Sequence, residues 1–457
     1  MICGNRSALL RNHLQTTVHM PVIETKVSAR AVGPWHSLQL KFSQRRHIVK
    51  TVGASKRHVP ELDGIRGWAC ASVLLAHVLI GIFTPAAGAL CQGIQLHTID
   101  LLLAGVDLFF VLSGFLIGGI LIDAKGESHF FKRFWIRRIA RILPVLWLLL
   151  TSYAMALFVR AHANLPQMDL WLLAEPKPPF WTYATFTQSL PIALGGYGGP
   201  RWVGITWSLA IEEQFYLFFP FAVYFFSRRS LLITVLAGIC FAPVLRDWWS
   251  HLFGSWYAPY VLMPSRVDGL MYGVLVAMII RNSKALVVAT KWRYALDALA
   301  LVIIFSLCTQ GALLDIWHST QCGPYPPLKQ SFIAILAAIV ILRLFTYQQN
   351  AFNRLWLAKP LAWLGAISYG LYMYHQSING MVHGFIFNQE PKVASLAEFG
   401  ASIFVMASAT AMATVSYLFI EKPIRKYGHR YSLKFPSTFL QEKGSGNKGA
   451  RATDVVG

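Results

Sequence analysis

The amino-acid sequence predicts an all-α, polytopic integral membrane protein. Hydrophobic residues make up 55% of the 457 residues and charged residues only 13%, whereas about a quarter of the residues of a soluble domain are charged. From residue 60 onwards, apolar segments recur that approach the roughly 20 residues a helix needs to cross a bilayer. The 15 tryptophans and 17 tyrosines fit the aromatic belts of membrane–water interfaces.

We predict about ten transmembrane helices with both termini in the cytoplasm. The connections between the apolar segments alternate between basic ones, such as 125–141 and 281–293, and ones poor in Lys and Arg, such as 161–203 and 385–395. Basic loops stay preferentially in the cytoplasm, so ten spans satisfy this alternation. The predicted spans are 65–84, 100–122, 142–160, 205–226, 230–246, 262–280, 294–312, 328–346, 361–384 and 396–420.

The ends of the chain differ in composition from its centre. Residues 1–58 contain one acidic residue, Glu24, against ten lysines and arginines. This composition fits either an organelle transit peptide or a disordered cytoplasmic extension, and we favour the second. We therefore predict a basic extension over 1–58, a membrane domain over 59–426 and a disordered tail over 427–457.

Charge and cysteine patterns argue against two kinds of site. The basic residues behind the net charge of +21 are concentrated in the termini and the predicted cytoplasmic loops. This distribution is typical of basic residues that stay on the cytoplasmic side and contact anionic lipid. It does not indicate nucleic-acid binding. The six cysteines show no metal-ligand spacing, so we predict no metal site.

The first predicted span carries Arg66 at its mouth and His77 deep inside it. At about 100° per residue, positions eleven apart share one helix face and lie roughly 16 Å apart along the axis. Ionisable side chains inside a bilayer are costly, so their presence indicates function. The alternative is an arginine that binds lipid headgroups and a hydrogen-bonded histidine within the bundle.

Two later spans carry further charged residues. Asp107 lies in the second apolar span and therefore needs a polar cavity or a basic partner, and Arg266 lies at the entrance of the sixth. Ser113 and Gly114 are small residues that allow another helix backbone to approach closely. For Asp107, Ser113 and Arg266, substrate contact and structural support both remain open.

Adjacent carboxylates, Glu212 and Glu213, lie near the predicted outer end of the fourth span. On a helix they diverge by about 100°, so only one of them can face a given cavity. The ninth span contains Ser-Tyr-Gly-Leu-Tyr-Met-Tyr-His, whose tyrosines we interpret as packing residues and interface anchors. His375, at the end of this segment, is an isolated histidine within the membrane, for which a structural role is the simpler interpretation.

The run from Phe131 to Pro144 contains more arginines than topology alone requires. If it is helical, Arg138 and Arg141 are three positions apart and Arg137 and Arg141 four, so their guanidinium groups can converge. Converging guanidiniums bind phosphate through planar, bidentate donors. The alternative is that these residues only hold the loop in the cytoplasm and contact anionic lipid.

Taken in order, these segments resemble the acyltransferase 3 family of multispan enzymes that O-acylate envelope glycans and lipids. The resemblance runs from about Val59 to Lys426. It rests on the Arg66–His77 pair and on five further segments: Phe-Phe-Val-Leu-Ser-Gly-Phe, Arg-Arg-x-x-Arg-Ile-x-Pro, Trp-Ser-Leu-x-x-Glu-Glu-Gln-Phe-Tyr-Leu, Ser-Tyr-x-Leu-Tyr-x-x-His and Glu-Lys-Pro.

The resemblance implies an O-acyltransferase in the bacterial inner membrane. It implies that Arg66 and His77 are the essential pair, that Glu212 is the carboxylate of the active cavity, and that Arg138 and Arg141 contact the donor phosphates. The implied co-substrate is cytoplasmic acyl-coenzyme A, which we expect to be acetyl-coenzyme A, and no permanently bound cofactor is implied. The implied acceptor is a carbohydrate or a lipid-linked molecule met on the outer side.

Acyl transfer to a hydroxyl needs a base and a group that stabilises the oxyanion. We expect His77 to be the base, with Glu212 or Asp107 as its orienting carboxylate. Arg66 is expected either to position the donor or to stabilise developing negative charge. The competing class is a secondary transporter of a small anion, although we find neither the inverted repeats nor the broken helices of such proteins.

Overall fold

The computed structural model of the chain describes residues 59–79, 101–162, 172–173, 177–308, 327–347, 350–393 and 395–434. Within these ranges every regular element is helical, as predicted. The helices of nine residues or more are α1 (Pro60–Leu79), α2 (Gly105–Ala124), α3 (Phe130–His162), α4 (Thr206–Phe225), α5 (Arg228–Phe253), α6 (Met263–Ile280), α7 (Ser283–Lys291), α8 (Arg293–Cys308), α9 (Lys329–Thr346), α10 (Lys359–Phe387), α11 (Leu396–Ser416) and α12 (Lys422–Ser432). The extension over 1–58 lies outside the described residues.

Six helical segments of the described chain are long and apolar enough to cross a membrane. Helices α1, α4 and α10 coincide with three more predicted spans, but they carry the polar residues of the candidate site, which lower their hydropathy. The count of ten spans and the cytoplasmic position of the termini therefore stay predictions. The six segments are Leu101–Ala124, Phe130–His162, Arg228–Phe253, Tyr257–Ile280, Lys329–Thr346 and Leu396–Ser432.

Several helices extend beyond the predicted bounds. The basic run before residue 142 is not a loop, because it forms the first turns of the 33-residue helix α3. The predicted short span 230–246 is part of the 26-residue helix α5. A π-helical turn, Tyr417–Glu421, joins α11 to α12, which continues to Ser432 and so enters the segment predicted as a tail.

Helices α1 and α10 pack backbone to backbone. A Cβ atom added to Gly67 would collide with the carbonyl oxygen of Leu361, and one added to Gly365 would collide with the carbonyl oxygen of Asp63. Small residues allow this approach, which in a membrane is a main source of helix association. It brings the polar residues of α1 next to those of α10.

Helices α2 and α6 approach each other in the same way. A Cβ atom on Gly114 would meet the carbonyl oxygen of Leu270, and one on Gly273 would meet that of Val111. The predicted packing role of the small residues around Gly114 is therefore confirmed for that glycine.

A buried ion pair connects α5, α6 and α9. Arg246 is fully buried and donates to both carboxylate oxygens of Asp268, at 3.1 and 2.8 Å. Ser331 Oγ donates to Asp268 Oδ2 at 2.6 Å. A buried charge of this kind is tolerated only when it is paired and hydrogen-bonded, and the pairing fixes α6 beside the site.

Candidate active site

Three neighbouring cavities run through the helix bundle. The first, which we call the arginine cavity, has a volume of about 230 Å³ and is lined by Asp63, Arg66, Arg141, Glu421 and Arg425. Arg66 Nη1 donates to Asp63 Oδ1 at 3.0 Å. Three guanidinium groups face two carboxyl groups, so the arrangement suits an anionic ligand with planar oxygen acceptors.

The second, central cavity has a volume of about 100 Å³ and shares Arg66 and Arg141 with the arginine cavity. Glu212 lines it and accepts a hydrogen bond from Ser113 Oγ at 2.7 Å and one from the Tyr216 hydroxyl at 3.2 Å. These two donors fix the carboxyl group in one orientation towards the cavity.

The third, which we call the histidine cavity, is the largest of the three at about 570 Å³. His77 and Asp107 line it together with the side-chain amides of Gln376 and Asn379. It also has an aromatic wall, which we define as Trp207, Trp256, Tyr257 and Tyr260.

The central and histidine cavities are separated by two residues that line both, Val106 and Tyr372. The Tyr372 hydroxyl lies 2.8 Å from Ser208 Oγ, within hydrogen-bonding distance. This contact holds the tyrosine ring of α10 against α4. Val106 and this ring therefore lie between the central cavity and His77.

His77 is fixed through its Nδ1 atom. This atom lies 2.9 Å from the carbonyl oxygen of Val73 and 3.2 Å from Nε2 of His375. A carbonyl oxygen can only accept, so Nδ1 carries the proton of the neutral His77 ring. His375 Nδ1 lies 2.7 Å from the Tyr372 carbonyl oxygen, which by the same argument leaves His375 Nε2 as an acceptor. The neutral His77 ring therefore presents an unprotonated Nε2.

The structure divides the predicted site residues between the cavities. Arg66, Ser113, Arg138, Arg141 and Glu212 line the central cavity, while His77 and Asp107 line the histidine cavity. Arg66 and His77 thus share a helix face, as predicted, but not a cavity. This separation favours the donor-positioning role of Arg66 over charge stabilisation next to His77.

Two predicted binding residues do not line these cavities. Arg137 donates from Nε to Ser432 Oγ of helix α12 at 2.8 Å. Arg266 is 2% exposed and donates from Nη2 to Asp107 Oδ1 at 2.8 Å. Its guanidinium group is paired with Asp107, and the predicted substrate contact of Arg266 stays a prediction.

The expected carboxylate partner of His77 is also not seen in the described part of the chain. The side chain that contacts His77 is His375, for which sequence reasoning favoured a structural role. The sequence signal was present in the Ser-Tyr-x-Leu-Tyr-x-x-His segment, which carries both His375 and Tyr372. Glu421 and Arg425 were likewise not among the predicted site residues, although both line the arginine cavity.

Comparison with known proteins gives relatives that are named as O-acetyltransferases. Peptidoglycan O-acetyltransferase OatA of Listeria monocytogenes is 28% identical over 398 residues, which are 83% of this chain and 58% of that protein. The putative peptidoglycan O-acetyltransferase YrhL of Bacillus subtilis is 28% identical over 401 residues, or 82% of this chain and 56% of that protein. O-acetyltransferase OatA of Staphylococcus aureus is 27% identical over 399 residues, with shares of 82% and 58%.

This chain therefore spans less than two thirds of the length of these relatives. No solved structure matches it. A family model described as an acyltransferase domain matches residues 59–421, from the residue before α1 to the last residue of the π-helical turn. Because this match covers most of the chain, the protein belongs to the acyltransferase 3 family.

Proposed function

We propose that this protein transfers an acyl group, most simply acetyl, from acyl-coenzyme A to a hydroxyl group of an envelope carbohydrate. The observation that carries the proposal is the neutral His77 ring, which is held by its Nδ1 and lines a large cavity. The family membership and the relatives named as peptidoglycan O-acetyltransferases support acetyl transfer and a carbohydrate acceptor. We do not retain the transporter alternative, because the family model is that of an acyltransferase.

In the proposed reaction, His77 Nε2 takes the proton of the acceptor hydroxyl as its oxygen attacks the thioester carbonyl carbon. The new carbon–oxygen bond forms, the carbon–sulfur bond breaks, and the protonated His77 returns the proton to the leaving thiolate. A base of this kind typically contributes about 10²–10⁴-fold to the rate. The sequence shows no serine in a nucleophile-elbow pattern, so we propose direct transfer without an acyl-enzyme.

The donor is proposed to enter through the arginine cavity. Coenzyme A carries several phosphate groups, and Arg66, Arg141 and Arg425 offer planar donors for them. Its thioester end would then extend through the central cavity, past Glu212, towards Tyr372. The acceptor would enter the histidine cavity, which the predicted topology places on the outer side.

The test is an acetyl-transfer assay with the full chain in lipid nanodiscs. Acetyl-coenzyme A labelled in the acetyl group and a soluble N-acetylhexosamine oligosaccharide are supplied together, and free thiol and labelled saccharide are measured. We expect one thiol per transferred label in the wild type and a loss of at least about a hundredfold in His77→Ala.

The matched control is His162→Ala, since His162 is an exposed histidine at the end of α3. This variant should keep wild-type turnover. Unchanged product formation by His77→Ala at equal protein levels would refute the base assignment. Thiol release without labelled saccharide would show hydrolysis and contradict the proposed acceptor.

A further inference from the structure

The histidine cavity has the composition of a carbohydrate-binding site. We propose that a pyranose ring of the acceptor stacks on the aromatic wall and that its polar edge is bound by Asp107 and Asn379. The inference rests on the proposed function, which requires a hydroxyl acceptor, and it assigns to that acceptor a place and a mode of recognition.

The rings of the aromatic wall pack against one another on the lining of the cavity. Trp256 and Tyr257 are stacked with ring centroids 4.0 Å apart and an interplanar angle of 28°. Trp207 and Tyr260 lie 4.4 Å apart at 40°. Sugar rings expose C–H groups on their faces, which pack against aromatic rings, and hydroxyls at their edges, which need hydrogen-bonding partners. The wall matches the first of these two requirements.

Buried polar groups on the cavity lining match the second requirement. Asn379 is 4% exposed, and its Oδ1 has no hydrogen-bond partner in the described part of the chain. A buried amide oxygen without a donor costs free energy, and a sugar hydroxyl would supply that donor. Asp107 also lines the cavity and offers further acceptor capacity beside the oxygen that accepts from Arg266.

The wall is held in place before any ligand arrives. The guanidinium carbon of Arg266 lies 5.7 Å from the ring centre of Trp207 and 5.2 Å from that of Tyr260. Because Arg266 is also paired with Asp107, one buried cation fixes both the aromatic rings and the carboxylate. Such preorganisation lowers the entropic cost of binding.

Size separates the two substrates between the cavities. The histidine cavity, at about 570 Å³, lies within the range of roughly 300–1,000 Å³ that small-molecule sites occupy. The central cavity, at about 100 Å³, is too small for a sugar ring with its substituents. The arginine cavity, with three guanidinium groups, suits phosphate better than a neutral saccharide.

The test measures saccharide binding without donor, by isothermal titration of chitotetraose into the full chain in nanodiscs. Trp256→Ala should weaken binding about tenfold, because a ring face of apolar contact is lost, whereas Trp256→Phe should retain most of the affinity. Trp256 is 42% exposed, so its removal is tolerable for folding. Asn379→Leu, which keeps the side-chain size but removes the amide, should also weaken binding.

Trp248→Ala is the matched control, since Trp248 is 57% exposed on α5 and lines none of the three cavities. Wild-type protein without saturable chitotetraose binding, or unchanged affinity in both Trp256→Ala and Asn379→Leu, would overturn the inference. If either outcome is found but the acetyl-transfer assay still shows label transfer, the inference is wrong and the proposed function is still supported. Conversely, saccharide binding that the variants weaken, without any label transfer, would support this site and refute the proposed reaction.

Discussion

At the scale of single residues, the contact between His77 and His375 orients the ring of the proposed base. The Val73 carbonyl oxygen already holds the Nδ1 proton of His77, and His375 Nε2 adds a second acceptor that orients the ring. His375 is therefore a positioning residue in the proposed mechanism. It acts on the orientation of the base, with no expected contact to the donor.

We expect His375→Leu to lower kcat about fivefold and to leave the KM for the donor unchanged, because the loss of one hydrogen-bond acceptor costs about 1 kcal/mol. His375→Gln should recover most of the activity, since its side-chain oxygen can accept from His77 Nδ1. Steady-state kinetics with both variants checks this. Equal losses in the two variants, or a changed donor KM, would point to a general packing role.

The two adjacent carboxylates should separate in function. Glu212 lines the central cavity and accepts from Ser113 and Tyr216, whereas Glu213 Oε1 is buried without a hydrogen-bond partner among the described residues. We expect Glu212→Gln to reduce turnover about a hundredfold, since Gln keeps the shape but loses the charge. Glu213→Gln should keep most turnover. The check is the rate of thiol release by the two variants at matched protein levels. A larger loss in Glu213→Gln than in Glu212→Gln would refute the assignment.

At the scale of elements, helix α3 divides its arginines between the central cavity and a neighbouring helix. Arg138 and Arg141 line the central cavity, and Arg137 contacts Ser432 of α12. Sequence spacing predicted that Arg138 and Arg141 could converge, but it also included Arg137. Arg137 instead contacts Ser432 of α12, which is 295 positions away in the chain. Spacing along one helix gives no information about such a contact.

We expect the double variant Arg138→Ala/Arg141→Ala to raise the KM for acetyl-coenzyme A at least about tenfold, because hydrogen bonds to a charged ligand are worth about 1.5–3 kcal/mol each. The KM for the saccharide should change little. Arg137→Ala is the matched control and should keep the donor KM within about twofold. A similar rise in all three KM values would contradict a specific role of Arg138 and Arg141 in donor binding.

Helix positions were largely predictable from apolar segments, since bilayer thickness fixes the length of a span. Thus predicted 262–280 corresponds to α6 (Met263–Ile280), and 328–346 to α9 (Lys329–Thr346). The extension of α3 through the basic run was missed, because hydropathy marks where a helix enters the apolar layer and carries no signal for where the helix itself begins.

At the scale of the whole molecule, residues from predicted outer loops meet at one cavity and residues next to predicted cytoplasmic loops at another. Arg201 and Glu390 line the histidine cavity, and Arg425 lines the arginine cavity. The grouping agrees with the alternation of loop charge. The pairing of His77 with His375, by contrast, was not predictable, because it depends on how closely the glycines of α1 and α10 allow those two helices to approach.

We expect a topology reporter inserted at 227–229 to report the cytoplasm and one inserted at 185–188 to report the opposite side, because basic connections are retained inside. Accessibility of single introduced cysteines at the same positions to a membrane-impermeant reagent is the independent check. Both positions on the same side would contradict the two-sided entry of donor and acceptor.

The partition made by Val106 and Tyr372 has a consequence for the membrane as an electrical insulator. A protein that takes one substrate from each face of a bilayer contains two water-accessible recesses, and only the material between them blocks ions. Here that material includes one tyrosine ring held by a hydrogen bond to Ser208. In the proposed reaction, the acyl group passes the same ring that would block ions. The width of this opening is therefore limited by the need to keep the ion gradient across the membrane. A wider passage would let ions cross the bilayer through the protein.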